Sequence, residues 1–219
     1  MKFKLVRANF ISIAFIFLAG CASERNIQLS DNFWQNKQQK IAVATTKAPT
    51  PQFYRVGQQG LLDVAINNSM NKDLDKRLER IDLDWYQQLP VSFSDQLKKR
   101  NIYAKSYLNQ LDPDDDNYQR IAAQIDSDKI LVIKLEEIGA KREYFGFIPK
   151  GAPEAVCEMT GELIDVKNNQ VLWRYKTTAE LPVKGNWDQP PNYPNLTNAL
   201  QLAVNSARQE LVDSFFSGH

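Results

Sequence analysis

Histidine occurs once in the 219 residues, as His219. A Ser-His-Asp triad or a His-ligated zinc site therefore has no material. Cysteine occurs twice, as Cys21 and Cys157. If Cys21 is modified, as the residues around it imply, no intrachain disulfide can form even in an oxidising compartment, and packing must hold the fold. Neither the phosphate-cradling GxxxxGK(S/T) pattern nor the dinucleotide-binding GxGxxG pattern is present. An excess of one charge is also missing, with 27 Lys and Arg against 26 Asp and Glu. Three of the basic residues and none of the acidic ones lie in residues 1–20, so the remainder carries a net of −2. That balance gives no electrostatic reason for nucleic acid or an anionic membrane surface to be the main partner.

What is present begins with an export signal. Lys2, Lys4 and Arg7 form a basic start, no acidic residue precedes Glu24, and residues 10–18 are apolar except Ser12. Leu18-Ala19-Gly20-Cys21 then places small residues before a thiol. This is the secretory layout with cysteine after the cut. Leu18 suits an apolar subsite, Ala19 and Gly20 let a peptidase reach the backbone, and the Cys21 sulfur is the lipid acceptor. Cleavage is expected between Gly20 and Cys21. An uncleaved span would need about 20 apolar residues, more than this run offers. One acyl chain anchors marginally and two or more anchor stably. In Gram-negative lipoproteins, which this segment resembles, an Asp beside the lipidated cysteine retains the protein at the inner membrane. Ala22 and Ser23 stand here instead, so the resemblance implies the outer membrane; a Gram-positive anchor is the alternative.

The rest divides into a polar stretch and one domain. Residues 22–39 are rich in Asn, Gln and Ser and read as a flexible tether following the lipidated Cys21. Residues 40–219 suffice for a single domain with a real core. Residues 40–46 read as a strand, ended by Pro49 and Pro51. Helical character is expected from about residue 69 towards 81, with Leu74, Leu78 and Ile81 on one face. A second helix is expected at 93–100, Pro90 preventing one helix across 84–100, and a strand at 102–108. Asp112-Pro113-Asp114-Asp115-Asp116 precedes Tyr118, Ile121, Ala122 and Ile125 at helical spacing, and reads as an acidic cap. A calcium loop would want a turn glycine and a distal Glu, which are missing.

The C-terminal half reads as β-rich. Residues 129–135, apolar at nearly every position, form a central-strand candidate, and 154–166 and 170–181 form two more strands around the turn signal Asn168-Asn169. Cys157, Met159, Gly161 and Leu163 share one side, which makes Cys157 a small buried hydrophobe rather than a nucleophile. Pairing Leu163 with Trp173 or Tyr175, and Glu162 with Arg174 or Lys176, keeps the faces unmixed, and predicts an odd-length loop with a bulge. Trp173 is then buried and Arg174 an exposed cross-strand partner. An amphipathic helix over 195–216 carries Leu196, Leu200, Ala203, Ala207, Leu211 and Phe215 on one stripe. The sum is an α+β domain with a mixed sheet of about five strands, antiparallel in its C-terminal part, packed on helices in the order β-α-α-β-α-β-β-β-α.

Two features invite function. Asp82 and Asp84 flank Leu83, but such a pair is usually a solvated edge. The segment 144–153 joins two strands yet carries Tyr144, Phe145, Phe147 and Ile148 among turn-formers. Loops normally present polar groups, so it either folds back on its own domain or meets a partner.

Residues 40–46, residues 130–136, and Gly161-Glu162-Leu163-Ile164-Asp165-Val166 running into Val171-Leu172-Trp173-Arg174 together resemble envelope lipoproteins whose domain is like the N-terminal domain of the translocation protein TolB. The curli-secretion lipoprotein, outer-membrane activators of penicillin-binding proteins and a neisserial surface-lipoprotein family belong to that group. The resemblance covers residues 40–216 and implies a binding or assembly role without catalytic residues or cofactors. Two roles are expected from it. One is a non-catalytic structural or assembly component of an envelope complex, such as a secretion apparatus, its domain facing the periplasm and its partners other envelope proteins or further copies of itself. The other is a periplasmic regulator of a cell-wall synthase, which would favour a longer tether.

Overall fold

The apolar run at 129–135 opens a strand of 17 residues, β4 (Lys129–Phe145), and the sheet is laid out along it. The computed structural model describes residues 25–114, 117–187, 189 and 192–217. Six strands appear: β1 (Lys40–Thr45), β2 (Gln52–Gln58), β3 (Tyr103–Ser106), β4, β5 (Ile148–Asp165) and β6 (Gln170–Pro182). The helices are α1 (Leu61–Met70), α2 (Lys72–Leu78), α3 (Asp84–Gln87), α4 (Leu89–Lys99), α5 (Tyr118–Gln124) and α6 (Pro194–Phe216). The strand order is β3-β1-β4-β5-β6, with β2 also paired to β4. β1 runs parallel to β3 and β4, whereas β4, β5 and β6 are successive antiparallel neighbours. The fold is therefore the expected α+β domain with a mixed sheet.

The sixth strand, β2, is the addition. Pro49 and Pro51 do end β1, but the chain then returns to the same edge of β4 instead of entering a helix. β1 covers that edge as far as Thr45 opposite Ile133, and β2 resumes at Gln52 opposite Gly139. Between them Thr46 N still donates to Ile133 O at 3.1 Å, and the fully buried Tyr86 of α3 supplies a further partner. Its hydroxyl donates to Ile133 O at 2.8 Å and accepts from Leu135 N at 3.1 Å. Buried backbone groups must be paired somewhere; here a phenol does what a strand would do.

Two cores flank the sheet. On one face Leu131, Ile133, Met159, Leu163 and Trp173 meet Leu74, Leu78, Phe93 and the α6 stripe. The stripe is the one expected: Leu196, Leu200, Ala203, Ala207, Leu211 and Phe215 are all buried. On the other face Ile130, Val132 and Ile164 pack with Ile121 and Ala122 of α5. Beyond α5 that second face carries charge, including Lys141 paired with Glu180 and Lys176 with Glu158. Cys157 is buried in the first core, its thiol pushed up to about 12 by desolvation and then by Glu158. It stays a neutral thiol there, as the strand alternation implied.

Of the two pairings expected for each residue, the β5–β6 hairpin takes Leu163 with Trp173 and Glu162 with Arg174. The loop, however, is even, because Asp165 pairs with Gln170. The shift lies between Leu163 and Ile164, where Leu172 is the extra residue and the bulge alone restores the faces. Gly161 explains the leading glycine of the motif: a Cβ there would lie 2.6 Å from the Trp173 ring. Arg174 corrects the expectation of exposure, since its side chain is largely buried and its Nε donates to the buried Glu162 at 2.6 Å. Lys134 stands 3.3 Å from the same carboxylate.

Three further expectations change. The supposed tether at 22–39 joins the domain from Asn26 onward. Ile27 forms a two-way backbone bridge with Arg174, and Phe33 and Trp34 are buried against Phe215. Two aromatics outweigh a polar composition. Helix α5 is capped by Asn117, whose side chain accepts from Arg120 N at 3.2 Å. Asp112 instead pairs with Lys47, and Asp115 and Asp116 lie outside the described residues. The single helix expected at 69–81 is two, α1 starting earlier at Leu61 and α2 ending at Leu78. Pro90 acts as foreseen, standing in the first turn of α4 and separating it from α3.

The bond made by Tyr86 yields a prediction. Tyr86→Phe keeps the ring and strands Leu135 N without its acceptor, so stability should fall by about 1–3 kcal/mol in denaturant melts. Burial pushes the Tyr86 phenol up to about 12 from its ordinary 10.0. Its contribution is thus complete below pH 10 and lost as pH rises towards 12. The Phe variant should be less stable than the parent at neutral pH, and the gap should narrow in alkali. Equal stability at neutral pH would remove this role.

Candidate contact surface

The segment 144–153, expected as a loop, is the end of a long hairpin. β4 runs through Phe145, Gly146 and Phe147 make the turn, and β5 begins at Ile148, which pairs with Phe145. Gly146 takes φ +61°, a left-handed conformation that glycine adopts without steric cost. The four residues singled out there do not act alike. Tyr144 is 3 % exposed and its hydroxyl accepts from Asn71 Nδ2 at 3.3 Å, so it belongs to the domain. Phe145, Phe147 and Ile148 are each more than half exposed. Alternation explains the division, because Tyr144 points to the helix side and Phe145 and Ile148, paired across the strands, to the other.

Helix α1 lies beside this tip and is inverted relative to an ordinary surface helix. Its one buried residue is polar, Asn67, which donates to Gln59 Oε1 at 2.8 Å and Gly146 O at 3.2 Å. Its apolar side chains face out: Leu61 is 95 % exposed, and Leu62 and Met70 are nearly as free. Gly146 N donates to Gln58 O at 2.8 Å, which fastens the tip to the end of β2. Asp63 accepts from Gly60 N at 2.9 Å and closes the helix start. Between Asp63 and Lys72 the sequence carries no charge. A cavity of about 160 Å³, with Met70, Tyr144, Phe147 and Trp187 in its wall, separates α1 from the hairpin.

Together α1 and the hairpin tip make one apolar end of the molecule. Exposed apolar side chains gathered on two neighbouring elements make this end a candidate contact surface. Phe145, Phe147 and Ile148 were legible in the sequence; Leu61, Leu62 and Met70 were missed. Their signal was the stretch from Val64 to Asn71, which lacks the charged side chains an exposed helix usually carries. Gly20 and Cys21, the expected cleavage and lipidation site, lie outside the described residues.

No protein-family model matches the chain, and no curated protein matches it in sequence. Solved structures do match, distantly and in fold. Lipoprotein GNA1162 from Neisseria meningitidis is 11 % identical, with 80 % of this chain and 99 % of that one covered and a TM-score of 0.36. The PelC dodecamer from Paraburkholderia phytofirmans is 14 % identical, with coverages of 82 % and 92 % and a TM-score of 0.34. The LpoB C-terminal domain from Salmonella enterica is 11 % identical, with coverages of 64 % and 81 % and a TM-score of 0.20. The similarity to these three structures, one of them a lipoprotein, is distant.

Proposed function

We propose that this chain is an outer-membrane lipoprotein, anchored through Cys21, that serves an envelope protein complex as a non-catalytic structural component. The observation that carries the reading is the apolar end, where Leu61, Leu62, Met70, Phe145, Phe147 and Ile148 stand in solvent. Apolar side chains gathered on two neighbouring elements need cover, and a partner protein gives it.

The position of the anchor supports the same reading. Since the domain begins at Asn26, the chain from Cys21 spans at most about 18 Å. That reach keeps the domain close to its membrane, and disfavours a regulator that must extend to a distant synthase. Ile27 joins the sheet at Arg174, opposite Glu162, which pairs with Val132. From there to Phe145 the strand continues for roughly 40 Å at 3.3 Å per residue. The apolar end is thus remote from the anchor and free to meet another protein.

Two measurements test this. Cys21→Ser should leave the precursor unprocessed or release the protein from the membrane fraction; normal processing with unchanged fractionation would end the lipoprotein reading. Leu62→Ser and Phe147→Ser should each change stability by no more than about 0.5 kcal/mol, as surface substitutions do, while co-purification with envelope proteins falls. A large drop in melting temperature with co-purification intact would assign these residues to the core instead.

A further inference from the structure

The helix layer, on the other side of the sheet from its charged face, holds a second feature that the apolar end does not involve. A groove of about 510 Å³ runs between α6 and the segment 77–85, floored by Ile81, Trp85, Leu200 and Val204. Arg77, Arg80 and Arg208 stand around it, with Asp82 as the one carboxylate in its wall. Arg77 donates to Asn192 O at 3.2 Å and to Thr197 Oγ1 at 3.4 Å, which holds its guanidinium in place. Arg208 reaches only Asn205 Oδ1, at 3.4 Å. Among the described residues none of the three is ion-paired, and Asp82 is engaged by the backbone N–H of Asp84 at 2.8 Å.

The groove does not stop there. Trp85 and Arg208 also line a neighbouring depression of about 670 Å³, whose other walls include Leu89, Val91 and Val212 and which holds no further charge. The two lie end to end along α6 from Thr197 to Val212, roughly 22 Å at the helical rise. The first is cationic; the second has no charge beyond Arg208 and sets Trp85, Leu89, Val91 and Val212 among uncharged polar side chains.

We propose that this groove binds an acidic amphipathic helix of a partner protein, about four turns long, with its carboxylates at the Arg77–Arg80–Arg208 end and its apolar stripe over Trp85. Guanidinium groups match carboxylates in shape as well as in charge. An apolar floor of this length suits a helix laid in a groove, read as anchors at three- and four-residue spacing. A single lipid headgroup would fill one end and leave the rest bare.

The test uses the full chain carried in phosphatidylcholine nanodiscs and fluorescein-labelled helical peptides of about 15 residues, followed by anisotropy. One peptide has leucines on one face and glutamates in its first two turns; the second has lysines in place of those glutamates. The acidic peptide should bind at least about tenfold more tightly than the basic one, and added salt should weaken it. The double variant Arg80→Gln, Arg208→Gln should lose at least about tenfold in affinity at unchanged melting temperature, both side chains being exposed. Equal affinity for the two peptides, no binding of the acidic one, or no loss in the double variant would overturn the proposal. So would capture of phosphatidylglycerol vesicles that displaces the acidic peptide, which would make the groove a lipid site.

Discussion

One edge of one strand organises this molecule. β4 must satisfy its backbone on the β1 and β2 side along its whole length, yet the prolines between those strands prevent a continuous neighbour there. At the start of the gap Thr46 N reaches Ile133 O, and the Tyr86 hydroxyl bonds both Ile133 O and Leu135 N, which ties α3 to the sheet. Once the gap is closed, β2 can resume pairing from Gly139 onward. A Cβ at Gly139 would meet Gln52 O at 1.9 Å, so the return of β2 also requires a glycine there. The paired extension carries the β4–β5 hairpin outward, with α1 fastened beside it.

The opposite end is held by a different interaction, the aromatic cluster that receives the N-terminal segment. Phe33 and Trp34 pack edge-on against Phe215, which also lies 4.8 Å from the Trp173 ring. Arg100 stacks over Trp34 and Phe216, adding cation–π attraction at the rim. Trp173 has its place only because Gly161 leaves room for the ring. Burying Phe33 and Trp34 under these rings draws the N-terminal segment into the domain from Asn26 onward.

Much of this was legible in the residues, wherever a long periodic signal existed. The stripe of α6, the apolar run that opens β4 and the faces of the β5–β6 hairpin all follow from spacing. What failed were features decided by tertiary contacts. β2 is short and mostly polar, and only Phe53 reveals its buried side. Residues 26–39 have a linker's composition, but two aromatics within them find a core. The hairpin's bulge was foreseen without its even loop, because pairing constrains the sum of the two and not each part. Arg174 read as exposed because alternation puts it on the charged face; the neighbouring side chains that cover it could not be seen from sequence. In the candidate site, the tip aromatics were visible as apolar residues among turn-formers. The contribution of α1 was not, since an inverted helix looks in sequence like a poorly amphipathic one.

The fold and the functional reading meet at the apolar end, whose side chains should be covered in the native envelope and bare in the isolated protein. Hydroxyl-radical labelling of Met70, Phe145 and Phe147, compared between the purified chain and intact envelopes, measures that cover directly. The expected result is labelling reduced several-fold at these three residues in envelopes, with Leu108, exposed after β3 beside the other end of β4, labelled alike in both. Equal labelling of all four in both samples would contradict a partner at this surface.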